Sequence, residues 1–167
     1  NWFGKRLMEA AELKSLLQST IEDLQKFNPQ LTIIFTVSPV RHLREGLVEN
    51  NRSKAVLIQA VHDLIASSKA AFYFPAYEYV IDDLRDYRFY AEDMLHPNQT
   101  AIDYIWMKFS ENYINENEFE TMQHISEIQK ALNHRPFNPN SESHLKFQEN
   151  LDQKINAIVT IFPQMKF

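Results

Sequence analysis

The sequence predicts a partial α/β domain followed by a helical extension. Two short apolar runs, at residues 31–37 and 71–74, flank one helical pattern of apolar residues at 54–67. A strand–helix–strand order of this length is typical of a βαβ unit, in which the strands are parallel and the crossover is right-handed. The last fifty or so residues show helical periodicity alone. We therefore expect an α/β unit over residues 1–115 and helices that pack on it over 116–167.

The first half of the chain gives a clear order of elements. A helix is predicted over residues 5–27, and it should end before Pro29 because the residue preceding a proline disfavours the helical conformation. The run at 31–37 is nearly all apolar, which is typical of a strand buried on both faces. Residues 38–52 are predicted as a polar loop, with Ser53 as the N-cap of the helix that follows.

The second half is predicted to be mainly helical. A short helix is expected over about residues 77–84, and a longer one over 98–113 with Pro97 at its start, where a missing N–H costs nothing. Two further helical patterns cover 118–132 and 144–162, separated by a proline-containing break.

Composition argues against several classes of function. The 167-residue chain has a net charge of −5, which argues against a nucleic-acid partner. With two glycines it has no glycine-rich phosphate loop, and with no cysteine it has no thiolate metal site. The six histidines do not form a metal-binding set, so we expect no metal or other cofactor. No apolar run of membrane-spanning length and no signal peptide are visible, so we expect a cytoplasmic protein without a membrane partner.

One pair of residues suggests catalysis. Asp93 precedes His96 by three residues, in the connection between the second strand and the helix at 98–113. An acid this close can orient an imidazole through its Nδ1–H and stabilise the imidazolium, as a general base requires. The alternative is structural, because an aspartate in this position can also cap the helix entry.

Other polar residues are predicted to lie at the same edge of the sheet. Arg41 and His42 follow the first strand, and Glu78 follows the second. Because the carboxyl ends of neighbouring parallel strands share one edge, we expect these three to converge there with the Asp–His pair and to bind substrate. The alternatives are solvated loop residues for Arg41 and His42, and a surface ion pair with Arg85 for Glu78. Ser38 lacks the small neighbours of a nucleophile elbow and is a poor candidate nucleophile.

Four stretches of this sequence together resemble the GSCFA family, which is similar to the SGNH or GDSL-like hydrolases. The resemblance covers roughly residues 1–113 and is carried by residues 36–42, 73–78, 84–90 and 93–98. It implies a flavodoxin-like, three-layer α/β sandwich and a Ser-His-Asp hydrolase of ester or acetyl groups, acting on a small-molecule or glycan ester. It also implies that Asp93 and His96 are the acid and the base of the triad.

The chain departs from the family pattern where the nucleophile should be. It has no cysteine and no Gly-Ser pair, so the Gly-Ser-Cys-Phe-Ala block is absent, and we find no oxyanion-hole blocks. We therefore expect the chain, which begins at Asn1 without an initiator methionine, to be the carboxyl-terminal part of a hydrolase and to be inactive alone. The alternative is a non-catalytic module that binds a partner, such as a second copy, through an exposed strand edge or the helical tail.

Overall fold

The computed structural model describes residues 6–167, and these residues form a small parallel sheet and several helices. The chain divides into two compact units between Phe109 and Ser110. The α-helices and strands, in chain order, are α1 (Ala10–Phe27), β1 (Ile33–Phe35), α2 (Gly46–Ile65), β2 (Ala71–Tyr73), the single turn α3 (Ala76–Glu78), α4 (Gln99–Tyr113), α5 (Phe119–Leu132) and α6 (Glu142–Ile161).

The two strands are parallel and joined through α2, so the predicted βαβ order is confirmed. Ile33 lies opposite Ala71, and Phe35 lies opposite Tyr73. Both strands end at the same edge of the sheet, and the loops that carry Arg41 and the Asp–His pair leave from this edge. The coarse α/β prediction therefore holds for the first unit, although the described residues are mostly helical.

One face of this sheet carries a buried apolar cluster of the first unit. Ile21 of α1, Leu64 of α2 and Ala71 of β2 form a buried cluster. The amphipathic stripes of both helices supply the apolar side chains that cover this face, as their periodicity predicts. Four partly buried residues pack against the cluster: Leu17, Ile33, Phe35 and Ile65.

The opposite face is open, so the prediction of a strand buried on both faces is wrong for the described residues. Ile34 is 36% exposed and Phe72 is 47% exposed. Ile34 lines an apolar groove of 480 Å³ together with α4 residues that include Ile102 and Trp106. The apolar composition of residues 31–37 predicts burial on both faces. Composition does not show which other elements cover each face of a strand.

The start of α2 also differs from the prediction. The helix begins at Gly46, so residues 46–52 of the predicted polar loop are helical and Ser53 lies inside the helix rather than at its cap. The polar residues of these first turns face two ways. Glu49 and Arg52 form an exposed ion pair at 2.9 Å. Asn50, by contrast, is 3% exposed. The polar residues of these first turns therefore belong to a helix, in which Glu49 and Arg52 are on the surface and the amide of Asn50 is buried.

Two other helix starts shift by a few residues. The first helix begins at Ala10, and residue 5, where the prediction began, lies outside the described residues. Pro97 does not open α4. Instead it pairs with Tyr90 in an isolated antiparallel bridge, and the Asn98 side chain accepts the N–H of Ala101 at 3.2 Å, which is the bond of an N-cap residue.

The second unit contains α5 and α6, close to the predicted bounds. Ser141 caps α6 by accepting the N–H of His144 at 3.2 Å. Lys154 on α6 pairs with Glu127 on α5 at 2.9 Å, which ties the two helices together. The predicted division at residue 115 and the packing of these helices on the α/β unit stay predictions. Among residues 6–167, none of the helices has the length and apolar character needed to cross a membrane.

Candidate active site

The structure brings Asp93 and His96 together in a turn on the surface. His96 Nδ1 lies 2.6 Å from Asp93 Oδ2, a hydrogen-bond distance for a charge-assisted pair. The His96 side chain is 60% exposed and that of Asp93 is 45% exposed. The imidazole is therefore oriented by the acid while its ring remains open to a reactant.

The same aspartate also builds the turn. Its Oδ1 accepts the backbone N–H of Leu95 at 2.9 Å and that of His96 at 3.0 Å. The N–H and the ring of His96, together with the N–H of Leu95, lower the pKa of the Asp93 carboxyl to about 2. The structural and the catalytic interpretation of Asp93 are thus compatible, because each carboxylate oxygen serves one of them.

Backbone bonds on both sides hold this turn in place. The N–H of Ala91 donates to the carbonyl of His96 at 2.8 Å, which closes the turn. The Asn98 side chain donates to the carbonyl of Arg88 at 2.7 Å, and its N–H donates to that of Phe89 at 2.9 Å. Asn98 therefore links the end of the turn both to the segment before it and to α4.

Arg41 reaches the turn, as its place after β1 predicts. Its Nη2 donates to the carbonyl oxygen of Met94 at 2.6 Å. The guanidinium also lies over two aromatic rings, 5.8 Å from the centroid of Tyr87 and 5.2 Å from that of Tyr90. The loop after β1 thus contributes a cation that is hydrogen-bonded to the turn that carries the acid–imidazole pair.

His42 has its own partner instead of joining this group. Its Nδ1 lies 3.0 Å from Glu45 Oε2. Both residues line a groove of 510 Å³ together with Arg6 and Glu49. His42 follows the end of β1, as predicted. The carboxylate of Glu45, three residues further on, holds its ring.

Glu78 also has a different partner from the one considered above. It accepts a bond from the Tyr73 hydroxyl at 2.9 Å and 3.0 Å to its two oxygens. Burial and this carboxylate raise the pKa of the Tyr73 hydroxyl. Arg85 pairs with Asp82 at 3.1 Å. The alternative interpretation, in which Glu78 forms a surface ion pair with Arg85, is therefore wrong.

Sequence reasoning missed two buried polar residues on α2. Asn50 accepts the N–H of His42 at 3.1 Å. Lys54, which is 7% exposed, donates to the carbonyl of Ser38 at 2.5 Å. Both residues hold the loop that carries Arg41. The available signal was a lysine and an asparagine four residues apart, a spacing that places them on one side of a helix.

Within the described part of the chain, no group of three or more histidine and acidic side chains could hold a metal ion. Because Asp93 orients the imidazole of His96, the turn offers proton transfer by that ring.

Comparison with known families gives a match for each of two parts of the chain. The model of the GSCFA family matches residues 1–109. The model of the GSCFA domain protein C-terminal domain matches residues 125–167. The chain belongs to the GSCFA family. No curated protein and no solved structure matches the chain.

Proposed function

We propose that this chain carries the general base and the orienting acid of an SGNH-type serine hydrolase that acts on ester or acetyl groups. The observation that carries the proposal is the 2.6 Å contact between His96 Nδ1 and Asp93 Oδ2 on an exposed turn. The three-layer sandwich of that class is part of the proposal, and the parallel strands β1 and β2 would belong to its sheet.

Each member of the pair has a defined task in this reaction. Asp93, whose pKa is lowered to about 2, stays ionised and holds the proton of His96 on Nδ1. This leaves Nε2 to accept the proton of a serine hydroxyl as its oxygen attacks the ester carbonyl carbon. When the tetrahedral intermediate collapses, the ester C–O bond breaks and the leaving oxygen takes that proton from Nε2. Water then repeats the sequence on the acyl-serine and regenerates the hydroxyl.

The nucleophile and the oxyanion donors are not assigned within these residues. Ser38 does not serve as the nucleophile in this proposal, because its hydroxyl oxygen accepts the N–H of Val40 at 3.2 Å in the loop after β1. Arg41, His42 and Glu78 stay predicted contacts to a small-molecule or glycan ester, and of the three Arg41 is bonded to the Asp–His turn. The absence of nucleic-acid and membrane partners and the cytoplasmic location also stay predictions.

The test is to express the natural reading frame that contains these residues and to assay p-nitrophenyl acetate hydrolysis and fluorophosphonate labelling. We expect both, and we expect His96→Ala to lower turnover by about 10⁴-fold or more, because the base itself is removed. His124→Ala, at an exposed histidine of α5, is the matched control and should leave turnover unchanged. No hydrolysis, or equal activity in the two variants, would contradict the proposal.

The 167-residue chain by itself should be inactive in the same assay. An acyl transfer needs a nucleophile, and none is assigned here. Turnover by this chain that disappears in His96→Ala would show that the nucleophile lies within it.

A second candidate function is association with another copy through the sheet. The two-stranded sheet of the described residues leaves an edge of β1 without a strand partner, and residues 31–37 around it carry no charge. Ile34 on its open face is 36% exposed. Sedimentation velocity should show a dimer that Ile34→Lys dissociates and that Leu47→Lys, on exposed α2 surface, leaves intact. A monomer at all concentrations would remove this candidate.

A further inference from the structure

The strongest unassigned feature is the contact between Arg41 and the Asp–His turn. Arg41 and Met94 are 53 residues apart in sequence, and a 2.6 Å hydrogen bond joins the guanidinium Nη2 to the Met94 carbonyl oxygen. A charged donor on a backbone carbonyl is among the stronger hydrogen bonds in proteins. The group that this bond fixes is therefore a backbone carbonyl next to the Asp93–His96 pair, and not a side chain.

The peptide unit that Arg41 contacts is the one that holds Asp93. The Met94 carbonyl and the Leu95 N–H belong to a single planar group. That N–H donates to Asp93 Oδ1 at 2.9 Å, while the carbonyl at the other end of the plane accepts from Arg41. Rotation of this plane would change both bonds together, so the arginine controls the orientation of the N–H that binds the acid.

The turn needs such support because Met94 has a φ of 61°. A residue with a Cβ is strained in the left-handed region, and it stays there only when surrounding contacts fix it. The bonds from Leu95 and His96 to Asp93 Oδ1 act from within the turn. Arg41 acts from outside it, across the sheet edge.

Arg41 is itself held firmly. Its guanidinium lies over the rings of Tyr87 and Tyr90. The loop that bears it is tied to α2 at both ends, through Asn50 to the N–H of His42 and through Lys54 to the carbonyl of Ser38. A side chain held in this way is suited to positioning another group.

We propose that Arg41 is a positioning residue that holds the Met94–Leu95 peptide so that Asp93 keeps His96 in the tautomer with the proton on Nδ1. The geometric part of this inference concerns the pair alone, and its meaning for catalysis rests on the proposed function.

The first test is made by NMR on the 167-residue chain with ¹⁵N-labelled histidine. Long-range ¹H–¹⁵N correlations should show His96 protonated on Nδ1 in the neutral ring, and Arg41→Gln should give a mixture of tautomers. In the same variant the Asp93 carboxyl pKa, measured by ¹³C titration, should rise from about 2 toward 3.8. Unchanged tautomer and unchanged Asp93 pKa in Arg41→Gln would overturn the proposal.

The matched control is Arg88→Gln. Arg88 also lies over an aromatic ring, at 4.8 Å from the centroid of Phe89, but it does not donate to the Met94 carbonyl. This variant should leave both readouts unchanged, and an equal response would mean that loss of any nearby cation is sufficient. Should Arg41→Gln fail to fold, Tyr87→Leu removes a ring from beneath the guanidinium at a 57% exposed position. It should shift the Asp93 pKa in the same direction by a smaller amount, and no shift would overturn the proposal.

A second measurement separates this inference from the proposed function. In an active protein made from the natural reading frame, Arg41→Gln should lower kcat by about tenfold or more while KM changes less than about twofold. A rise in KM at unchanged kcat would make Arg41 a substrate contact instead. If the NMR result holds but the protein hydrolyses no ester, the hydrolase proposal fails and the positioning role stands.

Discussion

The described residues of the first unit include two acid–histidine pairs at the same spacing, and the two pairs are not equivalent. His96 Nδ1 lies 2.6 Å from Asp93, and His42 Nδ1 lies 3.0 Å from Glu45. In both pairs the partners are three residues apart and the same ring nitrogen faces the carboxylate. Spacing and the ring nitrogen that faces the acid therefore do not distinguish a catalytic candidate from an ordinary local pair.

What distinguishes them is how the backbone around the acid is held. Asp93 precedes its histidine and receives two backbone N–H groups on the oxygen that does not face the ring. Glu45 follows its histidine, has a longer side chain, and stands directly before the first residue of α2. In the second pair the histidine has a backbone tie, because its N–H donates to the Asn50 side chain. The first arrangement fixes the acid, and a fixed acid is what orients an imidazole.

Exposure adds a second difference. The His96 side chain is 60% exposed. That of His42 is 40% exposed, and its partner Glu45 is 25% exposed. The Asp93–His96 pair is thus the more accessible of the two. This accessibility suits a base that must meet an external hydroxyl.

The largest effect that could separate the pairs is on activity. In the natural reading frame, Asp93→Asn should lower kcat by about 10³- to 10⁴-fold, because an amide no longer holds the imidazole in the required tautomer or stabilises its charged form. Glu45→Gln makes the same chemical change at the other pair and should alter kcat by less than about twofold. Ester hydrolysis by the two purified variants is the measurement, and losses of similar size would erase the distinction drawn above.

A second test uses the acid titration of stability. The folded-state pKa of Asp93 is lowered from 3.8 to about 2, so the group stabilises the fold above its unfolded pKa and loses that contribution as the pH falls toward 2. The difference in unfolding free energy between the parent chain and Asp93→Asn should be constant above about pH 5 and shrink between pH 5 and 2. Urea unfolding at several pH values measures it. A difference that stays constant down to pH 2 would mean that the acid is not held as described.

The fold was predictable where the signal is local. Apolar runs and helical periodicity gave the strand–helix–strand order and the two tail helices. The start of α2 at Gly46 was not predictable in this way. Asn50 accepts the N–H of His42, and a tertiary contact of this kind does not appear in the local pattern of residues. The open face at Ile34 was missed for a similar reason, since cover is a property of neighbours and not of the strand.

The site shows the same limit at the level of atoms. The spacing of Asp93 and His96 predicted their contact, and the strand-end rule brought Arg41 to the same turn. The sequence could not predict that Arg41 donates to the carbonyl of Met94. No residue pattern indicates that Met94 adopts a left-handed conformation or where its carbonyl lies. His42 was predicted to join the site and stays a predicted substrate contact, but its 3.0 Å contact with Glu45 was not predicted.

The smallest expected effect tests whether the second pair depends on the helix start beside it. Gly46 has a φ of 85°, and an added Cβ would meet no atom within 4 Å. Gly46→Ala should therefore lower the unfolding free energy by about 1 to 2 kcal/mol through backbone strain alone. Because Gly46 follows Glu45 directly, we also expect the ring signals of His42 to shift while those of His96 stay in place.

The control for that change is Ala55→Gly, at an exposed position inside α2. It should cost about 0.5 to 1 kcal/mol through lost helix propensity and should move neither histidine. Histidine ¹H–¹⁵N spectra and urea unfolding of both variants give the answer. If Gly46→Ala disturbs His96 as much as His42, the two pairs are coupled through Arg41 and its loop, and they must be treated as one site.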